Sequence, residues 1–296
     1  MNVNKRNNYQ LTGSIHTLSL ISLPVTDIDE SIAPCFDTLS SRENLSYSKI
    51  NANKLVGDLF SYDEFKTAFD TILGGAGIES YSLSRFDMRF DSFDPEHYRD
   101  YAKLNRYLIS ALAVTYNVQN CYDSRNLFSQ KQLSVAIKNK RFECENYDKE
   151  AERDPAYARL ELRRKCLTSN DIEKQFHGWY IRLDKALKNL DKVHQRYNDE
   201  LEKIYKEEKG AFPVKFRSLT DFLIQYQNCI FCKAQMIDLL SRFDEVKNPE
   251  TRDKNHKKRY GIEYFSKMDV EYAVAEIKRA AEKFFEGTEM NLFEKS

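Results

Sequence analysis

Leu83-Ser84-Arg85-Phe86-Asp87-Met88-Arg89-Phe90-Asp91 is the stretch on which the reading of this chain turns. Successive residues of a β-strand point to opposite faces of the sheet. Phe86, Met88 and Phe90 therefore share one face, and Arg85, Asp87, Arg89 and Asp91 share the other. Two later segments repeat the design. In 141–149, Phe142 and Cys144 oppose Arg141, Glu143, Glu145, Tyr147 and Lys149. In 157–163, Ala158, Leu160 and Leu162 oppose Tyr157, Arg159, Glu161 and Arg163. Each segment offers an apolar side to a helix layer and a side of acids, bases and tyrosine. If the three strands are neighbours, Asp87, Tyr147 and Glu161 come close on one polar surface. A sheet with one wet face shows the same alternation, so a solvated face of cross-strand ion pairs is the other reading of this pattern.

The flanking segments supply the remaining elements. Ser14 to Ser22 alternates as a strand does, Tyr47 to Ala52 reads as another, and 28–44 reads as loop. Ser61-Tyr62-Asp63-Glu64 is a capping box, in which each end residue's side chain can bond the other's backbone N–H. Phe65, Phe69, Ile72 and Leu73 follow on one helical face, and Gly74-Gly75 is expected to stop that helix through the left-handed conformation. Asp94-Pro95 is expected to open a helix to about Val118, with Asp as cap and Pro in first position. Residues 132–138 and 141–149 read as a hairpin around Asn139-Lys140. From Ile172 to Ile204, apolar residues recur at helical spacing, which predicts an amphipathic helix over 170–209 of roughly ten turns. A second helix is predicted from Ser218 and a third after Met268-Asp269. The expected fold is α+β: a mixed or antiparallel sheet packed on helices in residues 1–167, followed by a mainly α-helical region in 168–296.

Composition narrows the class of protein. At 296 residues with 41% hydrophobic and 31% charged residues, the chain can build a substantial core. Lys+Arg and Asp+Glu balance at 46 each, so any nucleic-acid surface must come from local clustering of charge. No apolar run approaches the ~18 residues of a membrane span, and Met1 to Gln10 lacks the apolar segment of a secretion signal. Six scattered cysteines are too few for a disulfide framework and suit a reducing cytoplasm.

Four segments in order give the chain a family resemblance over roughly residues 46–167. They are Ile50-Asn51-Ala52-Asn53-Lys54-Leu55, the strand around Arg85-Phe86-Asp87-Met88-Arg89-Phe90-Asp91, the run Tyr147-Asp148-Lys149-Glu150-Ala151-Glu152, and Arg159-Leu160-Glu161. In this order the chain resembles the rolling-circle replication initiators of small plasmids and phages, relatives of the HUH tyrosine endonucleases without an evident two-histidine motif. The resemblance implies a metal-dependent tyrosine DNA endonuclease and strand transferase that nicks and rejoins origin DNA. Tyr147 would be the nucleophile and would leave a 5′-phosphotyrosine and a free 3′-hydroxyl. A phenol with pKa about 10 needs help to ionise at neutral pH, and Lys149 would steady the phenolate or a phosphate oxygen. Asp87 and Glu161, with Glu152, would hold Mg²⁺ or Mn²⁺. Arg85 and Arg159 would clamp phosphate. The partners expected are replication-origin DNA, a host helicase and a second copy of the chain, with no membrane. Glu143 and Glu145 depart from the family's pattern, which more often has apolar or basic residues there. A mobilisation relaxase or transposase on the same scaffold, and a non-catalytic DNA-binding or helical interaction protein, are the alternatives.

Other clusters carry less. The densest basic run, Arg252 to Tyr260, includes Lys257, Lys258 and Arg259 and reads either as a loop gripping a DNA backbone or as a solvated loop. Cys229-Ile230-Phe231-Cys232 has redox spacing but sits in a helical pattern and reads as structural. The five histidines show no ligand spacing; His16, in an early strand, reads as a core or edge residue within reach of the site. Gly74-Gly75-Ala76-Gly77 follows a helix, not a strand, and reads as a cap and turn, not a phosphate loop.

Overall fold

A computed structural model describes residues 9–122, 135–148, 157–207, 214–216, 224, 243–245, 260–262 and 267–286. Eight strands form one sheet: β1 (Thr12–Ser22), β2 (Phe36–Arg42), β3 (Leu45–Ile50), β4 (Tyr81–Ser92), β5 (Cys121–Tyr122), β6 (Val135–Lys138), β7 (Phe142–Asp148) and β8 (Ala158–Lys165). Their order across the sheet is β2-β3-β1-β4-β8-β7-β6-β5, and every pairing is antiparallel. The fold is α+β, with the sheet antiparallel rather than mixed. The three alternating segments are neighbours: β4 pairs with β8, and β8 pairs with β7.

Helices cover the apolar face. They are α2 (Tyr62–Gly75), α3 (Tyr98–Thr115), α4 (Ile172–Glu207) and α5 (Lys267–Phe284), while the short α1 (Asn53–Val56) buries no residue. Phe86, Met88, Phe90, Leu160, Leu162 and Cys144 are fully buried beneath them. Phe90 meets Phe176 of α4 at a ring separation of 6.1 Å, and Phe142 meets Trp179 edge-on at 5.4 Å. Val270, Ile277 and Ala281 of α5 join the same core, which therefore continues across residue 168. No helix among the described residues is long and apolar enough to cross a membrane.

Local chemistry explains where these elements begin and end. The Ser61 capping box forms in full, with Ser61 accepting from the Glu64 N–H and Glu64 accepting from the Ser61 N–H. The α2 stop lies later than expected: the helix runs through Gly75, and Gly77 takes the left-handed conformation at φ +63°. Asp94 accepts from the backbone of Glu96 and His97, but this builds a turn, and α3 starts only at Tyr98. The segment expected as loop at 28–44 contains β2. As an edge strand exposed over most of its length, β2 is held through backbone pairing to β3 and carries no apolar alternation to reveal it. A further three-stranded sheet of β9 (Val214–Phe216), β10 (Phe243–Glu245) and β11 (Tyr260–Ile262) lies in the region expected to be helical. The helix predicted from Ser218 and the Cys229/Cys232 pair lie outside the described residues.

Gly13 sets how closely α5 approaches the sheet. A Cβ there would stand 2.9 Å from the Ala280 carbonyl oxygen and 3.3 Å from Phe90 Cε1. Gly13→Val should force helix and sheet apart and cost about 1–3 kcal/mol, read as a lower urea midpoint at unchanged slope. A midpoint equal to that of the parent protein would show that the contact does not limit the approach.

Candidate active site

The polar face of the sheet is built by rows of paired residues. Antiparallel register sets Asp87 against Arg163 and Arg163 against Glu143, Arg89 against Glu161 and Glu161 against Glu145, and Asp91 against Arg159 and Arg159 against Tyr147. Asp87, Glu161, Glu143, Glu145 and Arg163 are all buried. Tyr147 is half-buried.

One guanidinium gathers these groups. Arg163 Nη1 donates to Glu143 and Glu145 at 2.7 Å each. Its Nη2 donates to the Tyr147 hydroxyl at 2.8 Å and lies 2.9 Å from Glu161 Oε2. Its Nε donates to Glu161 Oε1 at 3.1 Å and stands 3.7 Å from Asp87 Oδ2. Four of its five N–H donors are hydrogen-bonded in this way, and the remaining Nη2 donor is ion-paired with Glu161. Asp87, Glu161 and Tyr147 thus meet on one face, as the alternation predicts, but through an arginine that the sequence does not single out.

A bulge adds the fourth strand's contribution. The β1–β4 register shifts between Ile15 and Thr17, which leaves His16 as the extra residue. A bulge redirects side chains relative to strict alternation. Thr17 Oγ1 donates to Asp87 at 2.6 Å, and His16 Nδ1 lies 2.8 Å from Glu161 Oε1. Strict alternation would put these two neighbours on opposite faces; the shift in parity brings both to the site.

The charges shape the protonation of the site. Burial drives the Glu161 carboxyl up, but His16 and Arg163 outweigh it and hold the group well below the usual carboxylate range. Burial raises the Glu145 carboxyl, opposed by a hydrogen bond from Tyr147 and by Arg163. Burial also pushes the Tyr147 phenol well above its ordinary value; nearby Glu161 and the hydrogen bond to Glu145 reinforce this, and Arg163 opposes it. The phenol is therefore protonated at neutral pH, with its hydrogen directed to Glu145 and its oxygen accepting from Arg163.

The other expected site residues are placed as follows. Arg85 pairs with Asp87, and Arg159 is bidentate to Asp91 at 2.7 and 2.9 Å, so both candidate phosphate clamps have carboxylate partners. Lys149, Glu152, Lys257, Lys258 and Arg259 lie outside the described residues. Asp87 and Glu161 have their oxygens engaged by Thr17, Arg85, His16 and Arg163. Among the described residues, no group of three or more His, Cys, Asp or Glu side chains is placed to hold a metal ion. Three groups escaped the sequence reading as functional candidates: Arg163, Thr17 and Glu145, the last noted there only as a departure from the family's pattern. The signal for Arg163 was present, since alternation puts it on the same face as Glu161.

No protein-family model matches the chain, and no curated protein matches it in sequence. Among solved structures it is similar to a rolling-circle replication initiator protein from Geobacillus stearothermophilus. That likeness covers 76% of this chain and 94% of the other at 9% identity, with a TM-score of 0.32. It is a distant structural relationship and assigns no role to any residue here.

Proposed function

We propose that this chain initiates rolling-circle replication of a plasmid or phage by nicking and rejoining origin DNA, with Tyr147 as the nucleophile. The observation that carries the reading is the pairing of the Tyr147 hydroxyl with Arg163 and Glu145 on a face lined by Asp87 and Glu161. The ordered segments around Asp87, Tyr147 and Glu161 that resemble the initiator family support it as well.

The chemistry follows from those contacts. Tyr147 Oη attacks the phosphorus of the scissile phosphodiester as Glu145 takes the phenolic proton. Burial makes the Glu145 carboxylate more basic than one in water, which suits this transfer. Arg163 Nη2 steadies the charge growing on the phenolic oxygen. The P–O3′ bond breaks, its electron pair leaves with the 3′ oxygen, and that oxygen is protonated to a 3′-hydroxyl. Attack by a 3′-hydroxyl on the phosphotyrosine reverses the step and joins the strand. Asp87 and Glu161, whose oxygens are now engaged by Thr17, Arg85, His16 and Arg163, would hold a Mg²⁺ or Mn²⁺ ion, which would supply charge neutralisation at the phosphate. Origin DNA is the proposed partner, with a host helicase and a second copy of the chain as further proposals.

A second reading has its own observation. Arg163 is hydrogen-bonded or ion-paired to the buried carboxylates Glu143, Glu145 and Glu161, as in an ion-pair core that holds strands together. On this reading the face is structural and the protein binds DNA without cutting it.

Three measurements separate these readings and probe the hub. Purified protein should nick supercoiled DNA carrying the sequence that flanks its gene, in Mg²⁺ or Mn²⁺, and remain attached to the 5′ end. Tyr147→Phe should abolish both effects; a Phe variant that nicks at the parent rate would rule Tyr147 out as the nucleophile, and a parent protein that binds the DNA without nicking it would favour the structural reading. Glu145→Gln should lower the nicking rate by about 10²-fold or more. In the parent protein the rate should fall as pH drops through the raised Glu145 carboxyl, because the base is lost on protonation, and the Gln variant should lack that acid limb. Arg163→Met should cost about 3–5 kcal/mol at neutral pH by leaving buried carboxylates unpaired. Its deficit should shrink as pH falls: without Arg163 the folded carboxyls titrate higher than unfolded ones, so acid favours the folded variant, whereas acid removes the stabilisation that depressed Glu161 gives the parent. Urea denaturation at two pH values reads this, and a pH-independent deficit would contradict it.

A further inference from the structure

Arg164 follows Arg163 in β8, yet its side chain makes no hydrogen bond among the described residues. It points to the face opposite Arg163, where its cross-strand partner is Phe142. It is half-buried, and its Nε is fully enclosed without an acceptor. Burial lowers the affinity of Arg164 for its proton, and the nearby cations Arg182 and then Arg141 lower it further. Arg182 of α4 is in a similar state, since its Nε also lacks an acceptor. The contact recorded for its other end is the Gly178 carbonyl, which accepts from Nη1 at 2.5 Å. The Phe142, Trp179 and Tyr116 rings lie 5.5, 5.9 and 6.0 Å from the Arg182 guanidinium and offset part of its charge. Among the described residues no ring lies over the Arg164 guanidinium in this way. Lys185, exposed one turn along α4, adds a fourth cation 5.2 Å from the Tyr116 ring.

Burying cations together without acceptors is costly, and the local structure is shaped to allow it. Gly178 lies in the second turn of α4, inside the helix, where glycine costs about 1 kcal/mol relative to alanine. A Cβ at that position would stand 1.9 Å from Arg164 Nη1, so the missing side chain is the room the guanidinium occupies. The turn before β7 is fixed as well. Asn139 Oδ1 accepts from the Arg141 and Phe142 N–H groups, and the Arg141 carbonyl accepts from the Lys165 N–H. Arg141 is exposed, which opens the cluster to solvent on that side.

We propose that Arg141, Arg164 and Arg182, with Lys185 at the rim, form a phosphate-binding site at the end of the sheet where β7 and β8 meet α4. Guanidinium groups present planar forks that match phosphate oxygens. A phosphate would supply both the acceptors and the negative charge that the cluster lacks. The phosphate belongs to a nucleic-acid strand or to a free nucleotide or ion. The site is independent of the Tyr147 reading, because Arg164 lies on the other face of the sheet, Arg141 lies in the turn before β7, and none of the site's groups takes part in the proposed cleavage.

The test uses the full chain and inorganic phosphate as probe. Calorimetric titration should show saturable binding, and phosphate should raise Tm more than chloride at equal ionic strength. Arg164→Gln should weaken the affinity at least tenfold. Gly178→Ala should do the same at unchanged net charge, because the new methyl evicts the guanidinium, while its Tm in chloride shows that the fold is intact. A single-stranded oligonucleotide that competes with phosphate identifies a strand backbone as the source; one that leaves phosphate binding unchanged identifies a free phosphate or nucleotide. Protection no greater than chloride's, or wild-type affinity in both variants, overturns the site.

Discussion

Arg163 is the constraint on which the polar face depends. Buried carboxylates on three strands converge there, and such a group is costly to bury unless it is paired and hydrogen-bonded. Arg163 meets that requirement for Glu143, Glu145 and Glu161 at once, and its last Nη2 donor reaches Tyr147. The aromatic core on the other side of the sheet can form from burial alone. The polar side requires one residue at one register. A slip of a single residue between β8 and either neighbour would turn Arg163 to the apolar side.

The two faces of the sheet handle charge in opposite ways near its β7–β8 end. On the Arg163 side, donors and acceptors match, and the network leaves its tyrosine between a base and a cation. On the Arg164 side, guanidiniums face rings and one another, with donors that find no acceptor among the described residues. Neighbouring residues in one strand thus have opposite electrostatic surroundings. The pleat alone is enough to cause this, because it sends adjacent side chains to opposite sides of the sheet.

Much of this was legible in the chain. Alternation in 83–91, 141–149 and 157–163 gave the faces, and those strands do lie side by side. The Ser61 capping box and the long α4 also followed from local pattern. What escaped depended on pairing between distant segments. β2 is an edge strand whose exposed residues carry no period. The contribution of His16 and Thr17 needed a bulge that only the register with β4 defines. Arg163 could not be ranked above Arg85, Arg89 or Arg159, since all four share a polar face and only the register decides which one sits among the acids. The cations around Arg164 come from the turn before β7 and from α4, whose meeting with β8 depends on tertiary packing.

The position of Arg163 in the chain has a bearing on how the protein is made. Asp87, Glu143, Glu145 and Glu161 all leave the ribosome before it does. Until synthesis passes that residue, the nascent sheet carries mutually repelling carboxylates with no hub to join them, and β4 has no β8 to pair with. The central pairing spans about seventy residues, a separation that slows closure of the sheet. Translation must therefore pass the end of β8 before the central strands can lock, and a chain truncated ahead of Arg163 would hold Glu143 and Glu145 without their counter-charge.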